Sequence, residues 1–169
     1  MPMLAVIASP EFAPADAAWI DVIRRSHDPQ HGRVAAHVTL RFPHEPADAA
    51  WFAGHMESIA AVTAPFNVAF DRLERLDDPF NPKYRHLAVL LADADSDAPL
   101  TALHRALGGE GEYRPHITLA RFGAVFSAKA LLRQMGDLQR PLRGRITALE
   151  LLKLENGATR VLAKIRLTG

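Results

Sequence analysis

The sequence predicts an α/β (α+β) fold, bilobal and duplicated. Three observations predict it. Strand-like and helix-like segments alternate as strand, helix, strand, helix, strand, and then the order begins again. His-apolar-Thr-Leu occurs as HVTL at 37–40 and as HITL at 116–119, with Arg and Phe close behind each time. The 169 residues are 49% hydrophobic and 23% charged, enough to bury a sizeable core in a single domain.

In chain order, LAVIA (4–8) reads as a short buried strand. A helix is expected from about Pro14, with Pro in its first turn and Trp19, Ile20 and Ile23 on one face. HDPQHG (27–32) is a polar loop, and HVTL alternates as a strand. Pro46 is expected to open a second helix carrying Phe52, Met56, Ile59 and Ala60. FNVAFDRLERL (66–76) is the next strand, and DDPFNPKYR (77–85), rich in turn formers, is a central linker.

HLAVLLA (86–92) starts the second round. A helix over 97–107 aligns Leu100, Leu103 and Leu107 and stops at Gly108 and Gly109. HITL is a strand, and Ser127 is the expected cap of a helix carrying Leu131, Leu132, Met135 and Leu138. ITALELLKL and TRVLAKIRL are strands joined around Asn156-Gly157, a hairpin signal. Leu4 precedes His37 by 33 residues, and Leu87 precedes His116 by 29. These spacings indicate one domain over 1–169 with lobe-like halves of about 1–80 and 84–169.

Composition narrows the function. Twenty basic against nineteen acidic residues argue against wrapping long duplex DNA but allow a local basic pocket. No cysteine is present, which excludes thiolate nucleophiles and Cys-ligated metals. The N-terminal apolar run is too short for a secretory signal and no stretch is long enough to span a membrane, so a soluble, cytoplasmic protein is expected. No His-Glu-x-x-His motif is present, and GGEG (108–111) lacks the Lys of a phosphate-binding loop. Neither cofactor nor metal is expected.

Residues i and i+2 of a strand share a face. His37 and Thr39 therefore point one way and Val38 and Leu40 the other; His116 and Thr118 repeat this against Ile117 and Leu119. If the halves pack about a pseudo-twofold axis, two imidazoles and two hydroxyls face one cleft. That set suits a phosphodiester. One imidazole deprotonates the attacking oxygen and the other protonates the leaving oxygen, while the hydroxyls donate to the phosphate oxygens.

At these residues the chain resembles the two-histidine phosphoesterases, the superfamily of 2′-5′ RNA ligases and RNA 2′,3′-cyclic phosphodiesterases. HVTL and HITL both match its paired His-x-Thr/Ser-x motifs, and RPHITLAR matches the flanks of the second. The resemblance implies a bilobal fold whose inner strands carry the motifs, and metal-independent opening of a 2′,3′-cyclic phosphate at an RNA end or on a nucleotide. It implies His37 and His116 as the acid–base pair and Thr39 and Thr118 as phosphate ligands. Ligation through a 2′-5′ linkage, the reverse reaction, is the alternative enzyme activity; an RNA- or nucleotide-binding module without turnover is the alternative outside catalysis. A monomer without a membrane partner is expected.

Arg41 keeps the parity of His37 and Thr39 and is expected to reach the cleft as a phosphate clamp or to end as a solvated side chain. Arg121 has the wrong parity unless its strand bulges after Leu119. Tyr113 and Arg114, in the loop entering the second motif, are possible substrate contacts. Phe42 and Phe122 either stack a base or pack in the core. Lys83, Tyr84 and Arg85 edge the cleft or solvate the linker. Arg160, Lys164 and Arg166 are expected on a solvated sheet face.

Overall fold

The computed structural model describes residues 2–169; Met1 lies outside the described residues. Among the described residues, nine strands and four helices follow in the order β1 (Met3–Ala8), β2 (Glu11–Phe12), α1 (Pro14–His27), β3 (Val38–His44), α2 (Ala49–Val62), β4 (Phe66–Asp77), β5 (His86–Ala92), α3 (Ala94–Ala106), β6 (His116–Phe122), α4 (Val125–Met135), β7 (Leu142–Ile146), β8 (Ala148–Glu155) and β9 (Ala158–Arg166). The strands form one mixed-order antiparallel sheet, β2-β7-β4-β5-β6-β3-β1-β8-β9. β3 and β6, the strands of the repeated tetrapeptide, are neighbours in its middle. Outward from them, β6-β5-β4-β7 mirrors β3-β1-β8-β9.

The sheet's midline does not follow the expected boundary between residues 80 and 84. β4, from the first half of the sequence, lies between β5 and β7, while β8 and β9, from the second half, extend β1. The reason is local. The short segment 78–85 makes β4 and β5 a hairpin, and strands consecutive in sequence pair preferentially. Each half of the chain thereby gives its last strands to the opposite side.

Several helix starts differ from expectation. α1 begins at Pro14 as expected. α2 does not open at Pro46: Asp48 caps it, accepting from the Trp51 amide at 2.9 Å. α3 begins earlier than residue 97, because Asp93 accepts from the Ser96 amide. α4 starts at Val125, so Ser127 lies inside it rather than capping it. A periodicity count finds the buried face of a helix; the cap is set by whichever short polar side chain the entering chain turns toward the first amides. Asn156 and Gly157 both take positive φ, 52° and 75°, at the β8–β9 hairpin.

The main core lies on one face of the sheet. It takes Leu4, Val6 and Ala8 from β1, Val38 and Leu40 from β3, Ile117 and Leu119 from β6, and Leu90 and Ala92 from β5. α1, α2 and α3 cover it with Ile20, Phe52, Met56, Leu100 and Leu103. The opposite face carries smaller apolar clusters, Ala5, Ile7 and Leu152 on one side and Leu87, Val89 and Leu91 on the other. On β9, Arg160, Lys164 and Arg166 are exposed, as the alternation predicts.

Candidate active site

The site begins with one strand pairing. β3 and β6 meet antiparallel at Val38 and Ile117, and both residues are fully buried on the core face. In an antiparallel register this sets His37 opposite Thr118 and Thr39 opposite His116. All four side chains then project from the face away from the main core. Thr39 pairs across to Ile7, Thr118 to Val89 and His116 to Leu91, and those three apolar residues belong to the clusters on that second face. His37, Thr39, His116 and Thr118 are half-buried, whereas Val38, Leu40, Ile117 and Leu119 are fully buried. The expected alternation is thus observed in both copies. The two histidines stand at diagonal corners of the rectangle, where Cα atoms lie roughly 7–8 Å apart.

Each imidazole is held alike. His37 Nδ1 lies 2.8 Å from the Ala35 carbonyl and His116 Nδ1 lies 2.7 Å from the Arg114 carbonyl, two residues upstream in both cases. A carbonyl can only accept, so Nδ1 carries the proton and Nε2 of the neutral ring is left as the base. Burial in the surrounding protein lowers the His37 pKa to about 4. The bond to Ala35 opposes that shift, and the guanidinium groups of Arg24 and Arg121 reinforce it. Burial lowers the His116 pKa as well, with Arg121 and Arg114 adding to the shift and the Arg114 carbonyl and Asp78 opposing it.

Bulges decide which arginine joins the histidines. In β3 the pairing to β1 slips between Thr39, opposite Ile7, and Arg41, opposite Val6. Val6 belongs to the main core, so Arg41 is turned to that face and does not reach the cleft as its parity predicted. It donates instead to the Gly108 carbonyl beyond α3. In β6 the pairing to β5 slips between Thr118, opposite Val89, and Ala120, opposite Ala88. Arg121 then pairs with Leu87 on the histidine face. The extra residue of a bulge inverts the alternation downstream of it. This is the condition under which the sequence admitted Arg121, and the structure meets it.

The remaining candidates divide. Arg114 lies beside His116, with Nη2 3.0 Å from both carboxylate oxygens of Glu74. The Tyr113 hydroxyl donates to the Thr39 carbonyl at 2.8 Å and its ring stacks on His104 at 3.9 Å. Phe122 is turned to the core side, packing against Ala88, Ala120 and Leu131 and against the His27 ring. Phe42 stacks on the exposed Phe80 of the linker, ring centroids 5.7 Å apart, and meets His104 and Tyr113 edge-on. Gly123 packs on the Lys83 carbonyl, which brings the linker to the end of β6.

Four participants escaped the sequence reading: Arg24, Asp28, Asp78 and His104. Asp28 is buried, with Oδ2 accepting from Arg24 Nε at 3.1 Å and Oδ1 3.3 Å from Arg121 Nε, an ion-pair contact too bent for a hydrogen bond. Asp78 Oδ2 accepts from Arg121 Nη1 at 3.2 Å. A signal for Arg24 and Asp28 existed. Ile20, Arg24 and Asp28 are spaced by four, so the buried stripe of α1 runs straight into an ion pair at its C-terminal end. His104 Nδ1 lies 2.7 Å from the Leu40 carbonyl, and a Cβ at Gly109 would strike its ring.

Among the described residues no group of three or more His, Asp or Glu is arranged to hold a metal ion, and no helix is long and apolar enough to cross a membrane.

An antiparallel sheet with paired His-x-Thr strands at its middle and a duplicated strand order defines a two-histidine phosphoesterase fold. The profile of the 2′-5′ RNA ligase superfamily matches residues 12–158, and the chain belongs to that family, whose members are phosphoesterases and ligases. No curated protein sequence matches the chain. Solved structures of similar fold include TT0787 of Thermus thermophilus, with a TM-score of 0.61 at 20% identity over 99% of this chain and 98% of that one. E. coli LigT complexed with NADP+ gives 0.58 at 18% identity over the whole of both chains. Kluyveromyces marxianus Usb1 gives 0.64 at 9% identity over 95% of this chain and 97% of that one. Crystal structures of LigT also hold 3′-AMP, ATP and phosphate.

Proposed function

We propose that this protein hydrolyses a 2′,3′-cyclic phosphate at an RNA end or on a nucleotide, without a metal, by acid–base catalysis between His37 and His116. The observation that carries this reading is the Val38–Ile117 register, which sets each histidine across from the other motif's threonine on one open face. The fold shared with LigT, whose structures hold nucleotides and phosphate, supports a nucleotide or RNA-end substrate.

In the proposed reaction the cyclic phosphate lies between the imidazoles. Nε2 of one neutral ring takes a proton from water as the water oxygen bonds to phosphorus. Nε2–H of the other ring protonates the ribose oxygen as its P–O bond breaks. Thr39 and Thr118 donate to the non-bridging oxygens, and Arg121, beside both rings, offsets charge on the phosphate. His37, next to the buried Arg24, is the ring kept neutral and serves as base. His116, with Asp78 favouring its cation, serves as acid. Burial disfavours the charged form of both rings, and the substrate's negative charge raises the pKa of the acid on binding.

The test is turnover of 2′,3′-cyclic nucleotides in EDTA. Wild-type protein is expected to remain active, and His37→Ala and His116→Ala are each expected to lose turnover while retaining the wild-type fold. Binding without turnover by the wild type would replace this reading with a binding module, and loss of activity in EDTA would replace it with a metal-dependent hydrolase.

A further inference from the structure

Arg121 is held by two carboxylates of different character. Asp28 lies behind it, with 2% of its side chain exposed. Its Oδ2 is bound to Arg24 Nε and its Oδ1 accepts from the Gln30 amide at 2.9 Å. Arg24 is itself buried and donates from Nη2 to the Val34 carbonyl at 2.8 Å. The Arg24–Asp28 pair is therefore a fixed wall against which the guanidinium of Arg121 rests. A buried charge pair with saturated bonds resists rearrangement because separating it leaves an uncompensated charge.

Asp78 lies on the other side, is more exposed at 18%, and belongs to segment 78–85. Its Oδ1 accepts from the Phe80 amide at 2.9 Å while its Oδ2 accepts from Arg121 Nη1. Phe80 in turn stacks on Phe42. Counted from the bulges, Phe42 holds the place on β3 that Arg121 holds on β6: each is the third residue after the motif threonine, and Leu40 with Arg41 corresponds to Leu119 with Ala120. Two residues of one short segment thus rest on matching positions of the two inner strands. The Nη1 donor that Asp78 takes is one that a phosphate oxygen in the cleft would need, and a carboxylate is the closest protein mimic of that oxygen pair.

We propose that Asp28 is a positioning residue that keeps Arg121 facing the two imidazoles, and that Asp78 is a placeholder which a substrate phosphate displaces from Arg121. The inference rests on the phosphodiesterase reading of the same site. Segment 78–85 is then released at Asp78 each time a phosphate enters, while Arg121 stays on Asp28.

Binding of inorganic phosphate, followed through the histidine ring signals in solution, tests this without turnover. Asp78→Asn is expected to tighten phosphate about threefold, the scale of a partly exposed ion pair. Asp77→Asn serves as the control. Asp77 is the neighbouring carboxylate, bonded to Arg75 and His86 rather than Arg121, and its substitution is expected to leave the affinity unchanged. Asp28→Asn is expected to weaken phosphate by about tenfold or more. In an Arg121→Met background that effect on affinity vanishes, although any loss of thermal stability remains. Unchanged or weaker binding in Asp78→Asn, equal tightening in Asp77→Asn, or an Asp28→Asn effect that persists without Arg121 would each overturn the proposal. If Asp28→Asn does not fold, the Asp78 and Asp77 pair decides. A protein that shows the expected pattern but hydrolyses no cyclic phosphate overturns the hydrolysis reading alone; turnover without the pattern overturns this inference alone.

Discussion

The strands β3 and β6 are the same device used twice, with one residue of difference. Both place His and Thr on the open face and two apolar residues beneath. Both anchor Nδ1 on the carbonyl two residues upstream, and both bulge after Thr-Leu. HVTLRF then has Arg in the extra position of the bulge, and HITLARF has Ala there. Arg41 is consequently turned toward the core face and bonds Gly108, while fully buried Ala120 takes the matching place in β6 and leaves Arg121 to emerge beside the imidazoles. A duplicated motif yields a symmetric acid–base pair, and the exchange of Arg41 and Phe42 on one strand for Ala120 and Arg121 on the other makes its surroundings asymmetric.

The largest effect should come from the symmetric part. His37→Ala and His116→Ala are each expected to lower kcat by about a thousandfold, within the range of general acid–base contributions. Near-equal losses support one shared reaction; full activity in either would break the pairing. The asymmetric part comes next. Arg121→Ala is expected to lower kcat/KM by about tenfold or more through loss of a charge-assisted contact, whereas Arg41→Ala costs stability and leaves kcat/KM within about twofold. The reverse order would show that the bulges are misplaced. Thr39→Ala and Thr118→Ala, one hydroxyl each, are expected to lower kcat/KM by about tenfold and equally.

Acidity sharpens the comparison further. The base must be neutral and the acid protonated in the free protein. His37 is lowered to about 4, and His116 is lowered from 6.5. The kcat/KM profile should therefore peak on the acidic side of pH 6.5, falling below about pH 4 as the base protonates and above the His116 pKa as the acid is lost. An optimum well above pH 7 would contradict this. The smallest effect is on stability. Rings whose folded pKa lies below the unfolded value of 6.5 favour folding most above that pH, because the unfolded chain binds more protons below it. The Tm should thus drop as pH falls from 6.5 toward 4, and less steeply in His37→Ala than in wild type.

The repeated tetrapeptide made the fold and the four central residues legible, because strand alternation needs no tertiary information. Parity counting failed at its first irregularity. It pointed Arg41 inward and Arg121 outward, and a bulge, which leaves no mark in hydrophobic periodicity, reversed both. The hydrogen bond of Tyr113 was hidden in the same way. A tyrosine in a loop reads as a contact residue, but its hydroxyl is taken by the Thr39 carbonyl where β3 and β6 part after their single pair. Asp28 was hidden because it falls in the polar HDPQHG stretch, yet it is buried together with Arg24.

The central claim is that both imidazoles meet one phosphate through Nε2. Nitrogen NMR of the histidine rings, titrated with a nucleoside 2′-monophosphate, tests it most directly. Both His37 and His116 should carry their proton on Nδ1 in the free protein, and both Nε2 signals should move together along one binding curve. A response from one ring only, or Nε2–H tautomers in the free state, would contradict the account.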